Sequence, residues 1–365
     1  MEIDRRTFLF GTAIALAPMP ARALGLSGAR EELFASTCQL PDGSYGLAVF
    51  GLSGGVRFTY RLPARGHDVA LSPDRRSAVV FARRPGTFAA AFDLTRQSEP
   101  QIFSSPEGRH FYGHGTFSPD GRLLYATEND FDGARGIVGI YDPAAGYRRI
   151  GEFFSGGIGP HELVFLSARR LIVANGGVET HPATGRRKLN LSRLDSNLCL
   201  IDPAHGEILA TFRTPAGSRD LSIRHMGVDA NDDIWIGCQS EGPATQTPPL
   251  VGRLGKEGDV ALFSAPEAVQ ATMRNYIGDV AVSADGLRVA TSAPRGNRIL
   301  VWDLSGNLIE AAPIPDSCGI TASGASTFLA TRGDGTLAEI GGRSEAHPGF
   351  RWDNHVHTFE PASKV

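Results

Sequence analysis

Residues 111–130, FYGHGTFSPDGRLLYATEND, set a histidine ahead of an apolar run, a Ser-Pro-Asp-Gly turn and a second apolar run that ends in acid. Pro, Asp and Gly between two short apolar or β-branched runs are hairpin chemistry. The same unit recurs as HDVALSPDRRSAVVFA from His67, HELVFLSARRLIVAN from His161, HMGVDANDDIWIGCQ from His225 and GDVAVSADGLRVATS from Gly278. Weaker copies are STCQLPDGSYGLAVF from Ser36 and SCGITASGASTFLAT from Ser317, which makes seven. A third run often closes the unit on an aspartate, at Asp93, Asp142, Asp202 and Asp303. Steps of 31 to 64 residues without a 3.6-residue period predict an all-β, seven-bladed β-propeller.

A ring of blades needs a strand from one end of the chain to complete a blade begun at the other, because an open edge invites aggregation. The tail NHVHTFE, residues 354–360, alternates suitably and is expected to pair with the first or last blade, which gives His355 and His357 a structural role. The expected organisation is a leader over 1–23, a linker over 24–33 and a propeller over 34–365.

The bulk numbers fit this reading. The chain has 365 residues, 41% hydrophobic and 21% charged, with 44 glycines and 23 prolines, enough for a large core in a turn-rich fold. A formal charge of −3 lacks the basic excess that holds a polyanion by counterion release, so nucleic acid is excluded as a partner.

Asp4-Arg5-Arg6-Thr7-Phe8-Leu9 resembles a twin-arginine export signal; an apolar stretch to Met19 and Ala21-Arg22-Ala23, which fits a peptidase site, follow it. The apolar part is too short for a permanent membrane span. The expectation is a periplasmic protein, exported folded and cleaved after Ala23. Four cysteines, Cys38, Cys199, Cys238 and Cys318, lie far apart with no C-x-x-C, which argues against a zinc ribbon. A Cys38–Cys318 disulfide between neighbouring blades is one expectation; single buried thiols acting as small apolar residues are the other.

In a propeller the innermost strand lines the channel and alternate strands reverse direction, so the start of strand one and the end of strand two share a face. Alignment on the turns brings Asp68, His114, Glu162, His225 and Asp279 to one position at that mouth, with His67 and His161 one residue earlier. Imidazoles and carboxylates are costly to bury alone and suit a divalent metal. His114, His161, Glu162, His225, Asp68 and Asp279 are therefore candidate ligands for iron, copper, zinc or calcium. Equivalent positions on non-adjacent blades are expected to lie too far apart for bonds of about 2.0–2.6 Å, so His114 with His161 or Glu162 is the favoured pair. Loops leaving the second strands crown the same mouth and supply candidate ligand or partner contacts: Glu128, Asn129 and Asp130, then Asn175, Glu179, His181 and Arg186, then Gln239. A hydrogen-bonding role between blades is the alternative for any single one of these residues.

Catalytic motifs are thin. The chain has no H-E-x-x-H and no phosphate-binding glycine loop. With GHGTFSPDG, ATENDFDGARGIVGIYD, GPHEL, ANGGVETHP, GRRKLNL and LSIRHMG, the chain resembles an uncharacterised family of Tat-exported bacterial propellers, a domain of unknown function. Nearly all of the chain after the leader takes part. The resemblance implies an association with periplasmic iron-uptake and haem proteins, and it transfers no catalytic residues. VALSPD and FSPDG belong to the wider YVTN and WD40-like propellers and speak only to fold. The expected function is to bind a metal, small ligand or partner at one channel mouth in iron acquisition. A metal-dependent hydrolase of lactonase type and a non-catalytic scaffold are the alternatives.

Overall fold

The repeated hairpins close into seven four-stranded antiparallel sheets, a seven-bladed β-propeller. The structure is a computed structural model that describes residues 32–359 except 53, 54 and 97. The expected leader and most of the expected linker, 1–31, lie outside the described residues; the first strand begins at Leu33, the last residue of the expected linker.

We number the blades in chain order. Blades 2 to 7 have their innermost strands at Gly66–Leu71, Arg109–Phe117, Pro160–Ser167, Leu221–Val228, Asp279–Val282 and Ser317–Ser323. Blade 1 differs. Its strands Leu33–Gln39, Tyr45–Gly51 and Gly55–Leu62 are the second, third and outermost, and the C-terminal strand Arg351–Phe359 is the innermost. The unit at Ser36, read as an inner hairpin, is thus displaced one strand outward. The reason is the closure itself: the C-terminal strand pairs with the first strand (Leu33↔Phe359, Ala35↔His357) and takes the channel position between the inner strands of blades 7 and 2.

Turn chemistry follows the motif. In each Ser-x-Asp hairpin the serine hydroxyl meets the aspartate two residues on: Ser72–Asp74, Ser118–Asp120 and Ser283–Asp285, all at 2.6 Å. The aspartates ending the third strands do the same work for the outer turns, Asp93, Asp142, Asp202 and Asp303 each accepting the backbone N–H two residues on at 2.9–3.0 Å. These local bonds satisfy turn amides that no strand can reach. The core lies between facing sheets, as where Trp235 and Trp302, both fully buried, join the cluster of blades 4 to 6.

All four cysteines are free thiols, so the Cys38–Cys318 disulfide is not formed. Cys38 stands on a second strand rather than an inner one, and burial raises its thiol to about 12. Cys318 is on the inner strand of blade 7, its Sγ 3.7 Å from the carbonyl oxygen of Gly278.

Candidate functional site

Five imidazoles from five inner strands meet in the channel. Ring centroids of His114 lie 4.9 Å from His67, 4.6 Å from His161, 5.7 Å from His225 and 4.8 Å from His355. His225 is 4.7 Å from His161 and 5.0 Å from His355. His67, His114, His225 and His355 are buried and His161 is partly so. Blades 3 and 5 are not adjacent, nor are blades 1 and 3, yet their histidines touch, so the expected distance barrier between non-adjacent blades does not hold. Imidazole length and bulged inner strands explain this.

In six blades the pairing of the inner strand slips at this level: between Gly66 and Val69, Phe111 and Gly115, Pro160 and Glu162, Ile223 and His225, Ser317 and Ile320, and opposite Ser36 and Cys38 for the C-terminal strand. A bulge re-aims side chains that strict alternation would send to opposite faces. It lets neighbours such as His67 and Asp68, or His161 and Glu162, serve one site. Gly113 belongs to the same device: its φ is +109°, and a Cβ there would stand 2.3 Å from Cδ2 of His67. Only glycine fits between that ring and the strand.

Two trios offer ring nitrogens within 4.8 Å of one another, His67–His114–His161 and His114–His225–His355. The carboxylates stand behind the imidazoles. Nδ1 of His114 is 3.0 Å from Asp68, whose other oxygen lies 2.6 Å from Nε2 of His357. Nδ1 of His355 is 3.3 Å from Asp279, which also accepts the N–H groups of Val280 and Ile320. Glu162 accepts the N–H of Met226 at 2.9 Å and lies 3.3 Å from Nδ1 of His225. Nε2 of His114, Nε2 of His355 and Nδ1 of His161 are buried without a hydrogen-bond partner.

Electrostatics sort these groups. Burial, then neighbouring positive charge, pushes His161 well below its ordinary value, and burial is also the main cause that lowers His67 and His225. Burial opposes the charged form of His355 too, but Asp279, Asp68 and Glu162 outweigh it and raise the group to about 9. Burial raises Glu162 to about 7. Asp68, despite burial, is held well below the carboxylate range by His357 and His114.

The loop residues divide. Glu128 is fully buried and engaged within blade 3, accepting from the Tyr141 hydroxyl at 2.7 Å and pairing with Arg149 at 2.9 Å and Arg109 at 3.4 Å. Asn175 ties Ser155 to Asn197. Both were expected at the mouth, and both are sheet-locking residues instead. Asn129 bridges His110 and the carbonyl of Thr180, and Asp130 holds Arg135. His181 lies 3.2 Å from Asp132 and Lys188 pairs with Glu241, so the loops of blades 3, 4 and 5 do meet. Glu179 is partly buried, its N–H bonded to Asn190; Arg186 is exposed; and Gln239 reaches the carbonyl of Ile277 at 3.4 Å.

His67 and His355 are the cluster members missing from the candidate ligands. Thr358-Phe359 repeats Thr116-Phe117 after a histidine, a signal that the tail is an inner strand of the same kind.

Comparison with known structures agrees with the architecture. The chain is similar to a structure titled hydrazine synthase from Kuenenia stuttgartiensis, at 13% identity and a TM-score of 0.64 over 83% of this chain and 94% of that one. It is also similar to the Cps50 (Swd1) β-propeller domain of Myceliophteria thermophila, at 13% identity and a TM-score of 0.58 over 81% and 93%. At such identity the likeness concerns the fold. No curated protein matches the chain significantly. Residues 60–359 match one family across most of the ring that carries the histidines: the chain belongs to DUF1513, a family of proteins of unknown function.

Proposed function

We propose that the channel histidines bind a transition-metal ion, with His114 common to both ligand trios. One observation carries this reading: His114 and His355 each present an unpaired, buried Nε2 while the opposite ring nitrogen faces a carboxylate. Metal-binding histidines recur in that arrangement, the carboxylate fixing the tautomer and raising the basicity of the ligating nitrogen. Asp68, Asp279 and Glu162 are then positioning groups rather than ligands. Imidazole donors suit zinc, copper and ferrous iron and do not suit calcium, which takes oxygen. Tetrahedral zinc would draw nitrogens to about 3.4 Å apart, so the rings need to close from their 4.8 Å spread.

The test is metal analysis of the protein isolated from its native compartment, together with zinc and copper titration of the chelator-treated chain. His114→Ala breaks both trios and should abolish tight binding, whereas His67→Ala or His355→Ala breaks one trio and should weaken it. Equal binding by wild type and His114→Ala would refute the reading. An iron-acquisition role in the periplasm is an extension that rests on the family resemblance, and preferential recovery of iron would support it.

A hydrolytic role is the second reading. Glu162, on the inner strand of blade 4 and 3.3 Å from His225, is a carboxylate placed to take and return a proton at the channel site. Lactone turnover that is lost in Glu162→Gln with metal still bound would support it; no turnover across a lactone panel would end it.

A further inference from the structure

One step nearer the mouth than the histidines, the inner strands carry Tyr112, two residues before His114, and Arg224, next before His225. They are 1% and 3% exposed. A buried guanidinium needs compensating charge and acceptors. Among the described residues Arg224 finds only a loose ion pair, 3.8 Å from Glu241, a carboxylate that Lys188 also holds. Arg224 Nε and Arg84 Nη1 have no hydrogen-bond partner, and the Tyr112 hydroxyl and Thr180 Oγ1 face each other with no other partner.

Backbone bonds join the segments that carry these groups: Gly176 donates to the Gly159 carbonyl at 2.8 Å, and Phe111, next to Tyr112, donates to the carbonyl of Gly86, two residues after Arg84, at 3.1 Å. After burial itself, the charge of Arg84 is the chief influence lowering Arg224. Tyr112, raised by burial, feels Thr180, Arg84 and Arg224 in turn. The Gly176-Gly177 turn folds over the guanidinium: a Cβ on Gly176 would stand 3.1 Å from Cζ of Arg224, and the Ser222 hydroxyl pins that turn by donating to the Gly176 carbonyl at 2.6 Å. A Cβ on Gly159 would lie 3.6 Å from the Tyr112 hydroxyl, so glycines line both sides.

Two guanidinium groups and a phenol with unused donors match a planar or tetrahedral oxyanion, which accepts several charge-assisted hydrogen bonds at once. We propose that Arg224, Arg84 and Tyr112 form a receptor for a small oxyanion, the phosphate or carboxylate group of a ligand that enters the channel mouth. Thr180 adds a hydroxyl donor. Glu241, whose Oε1 is also unpaired, accepts from a protonated oxygen when the anion is a phosphate monoanion. The receptor uses none of the imidazoles and stands whether or not they hold a metal.

The experiment is calorimetric titration of the chelator-treated full chain at pH 7 with potassium phosphate and, separately, potassium oxalate, against chloride at matched ionic strength. Saturable binding of at least one is expected. Binding of phosphate alone assigns a phosphoryl group; binding of oxalate alone assigns a carboxylate. Arg84→Gln should weaken that binding at least tenfold, and Tyr112→Phe by about tenfold, the usual loss for one hydrogen bond to a charged group. Arg224→Gln removes a buried charge and risks the fold, so the first two variants carry the test once their melting temperatures match wild type. Failure of both anions to bind, or wild-type affinity in both variants, overturns the proposal. Repetition with His114→Ala separates this outcome from that of the metal site, because the anion should still bind.

Discussion

Asp68→Asn keeps the size of the side chain and removes its charge, which makes it the sharpest probe of how the histidines are held. Asp68 faces Nδ1 of His114 at 3.0 Å and Nε2 of His357 at 2.6 Å, and it is 7% exposed. An amide oxygen can still accept one of these bonds, but the amide nitrogen must then face the other ring, so one of the two loses its orientation. Loss of such a supporting carboxylate typically costs 10–100-fold in metal affinity, or about 1.4–2.7 kcal/mol. The assay is competition against a chromophoric chelator for Zn²⁺ and Cu²⁺ at pH 7, with melting temperature recorded in parallel. Asp279→Asn, which removes the charge beside His355, should fall in the same range, while Glu339→Gln, far along another blade, should leave affinity unchanged. Wild-type affinity in both Asp68→Asn and Asp279→Asn, with metal still bound by the histidines, would refute the claim that the carboxylates act through the rings.

Other expectations concern the frame. Glu128→Ala leaves Arg109 and Arg149 with Glu152 alone and the buried Tyr141 hydroxyl without its acceptor, and should cost about 1–3 kcal/mol in urea unfolding. Glu152 is held at about 2 by its bonds to Arg109, then Arg149. Its native value lies below the unfolded one, so its contribution is complete above about pH 4.5 and lost as the pH falls towards 2. Because its side chain is 37% exposed, Glu152→Gln should cost under about 1 kcal/mol at pH 7 and nothing by pH 2, read from urea midpoints at both. Gly113→Ala should destabilise by about 1–3 kcal/mol from its positive φ alone and weaken metal binding as well, by displacing His67. Thiol titration in denaturant should find four reactive cysteines with or without prior reduction, since none is bridged.

The ring was legible because hairpin turns leave a local chemical signature: Ser118, Asp120 and the apolar runs on either side carry it without reference to anything distant. The tail was harder. Its strand contains no hairpin turn and only the short Thr-Phe echo of blade 3, and its place is fixed by pairing with a segment more than three hundred residues away in sequence, which makes His355 look like a pairing residue. Turn alignment brings Asp68, His114, Glu162, His225 and Asp279 to one level and sets His67 and His161 one residue earlier. It could not show which of two neighbours faces the channel, because a bulge breaks the two-residue period from which facing is inferred; hence Asp68 and Glu162 stood as ligands while His67 did not. Glu128 and Asn175 were misplaced for another reason. Glu128 lies inside the strand Leu124–Asp130 and Asn175 ends the strand Arg170–Asn175, and in neither place does sequence give a sign that arginines or amides from the same or a neighbouring blade will enclose them.

The C-terminal strand joins the two ends of the chain and also carries His355. A ligand gripped by that imidazole together with His114 and His225 would fasten the seam of the ring and by mass action would make the closed circle harder to unzip. Occupancy would then report on completion: a nascent or truncated chain lacking its final fifteen or so residues would have every other blade in reach and still no finished grip.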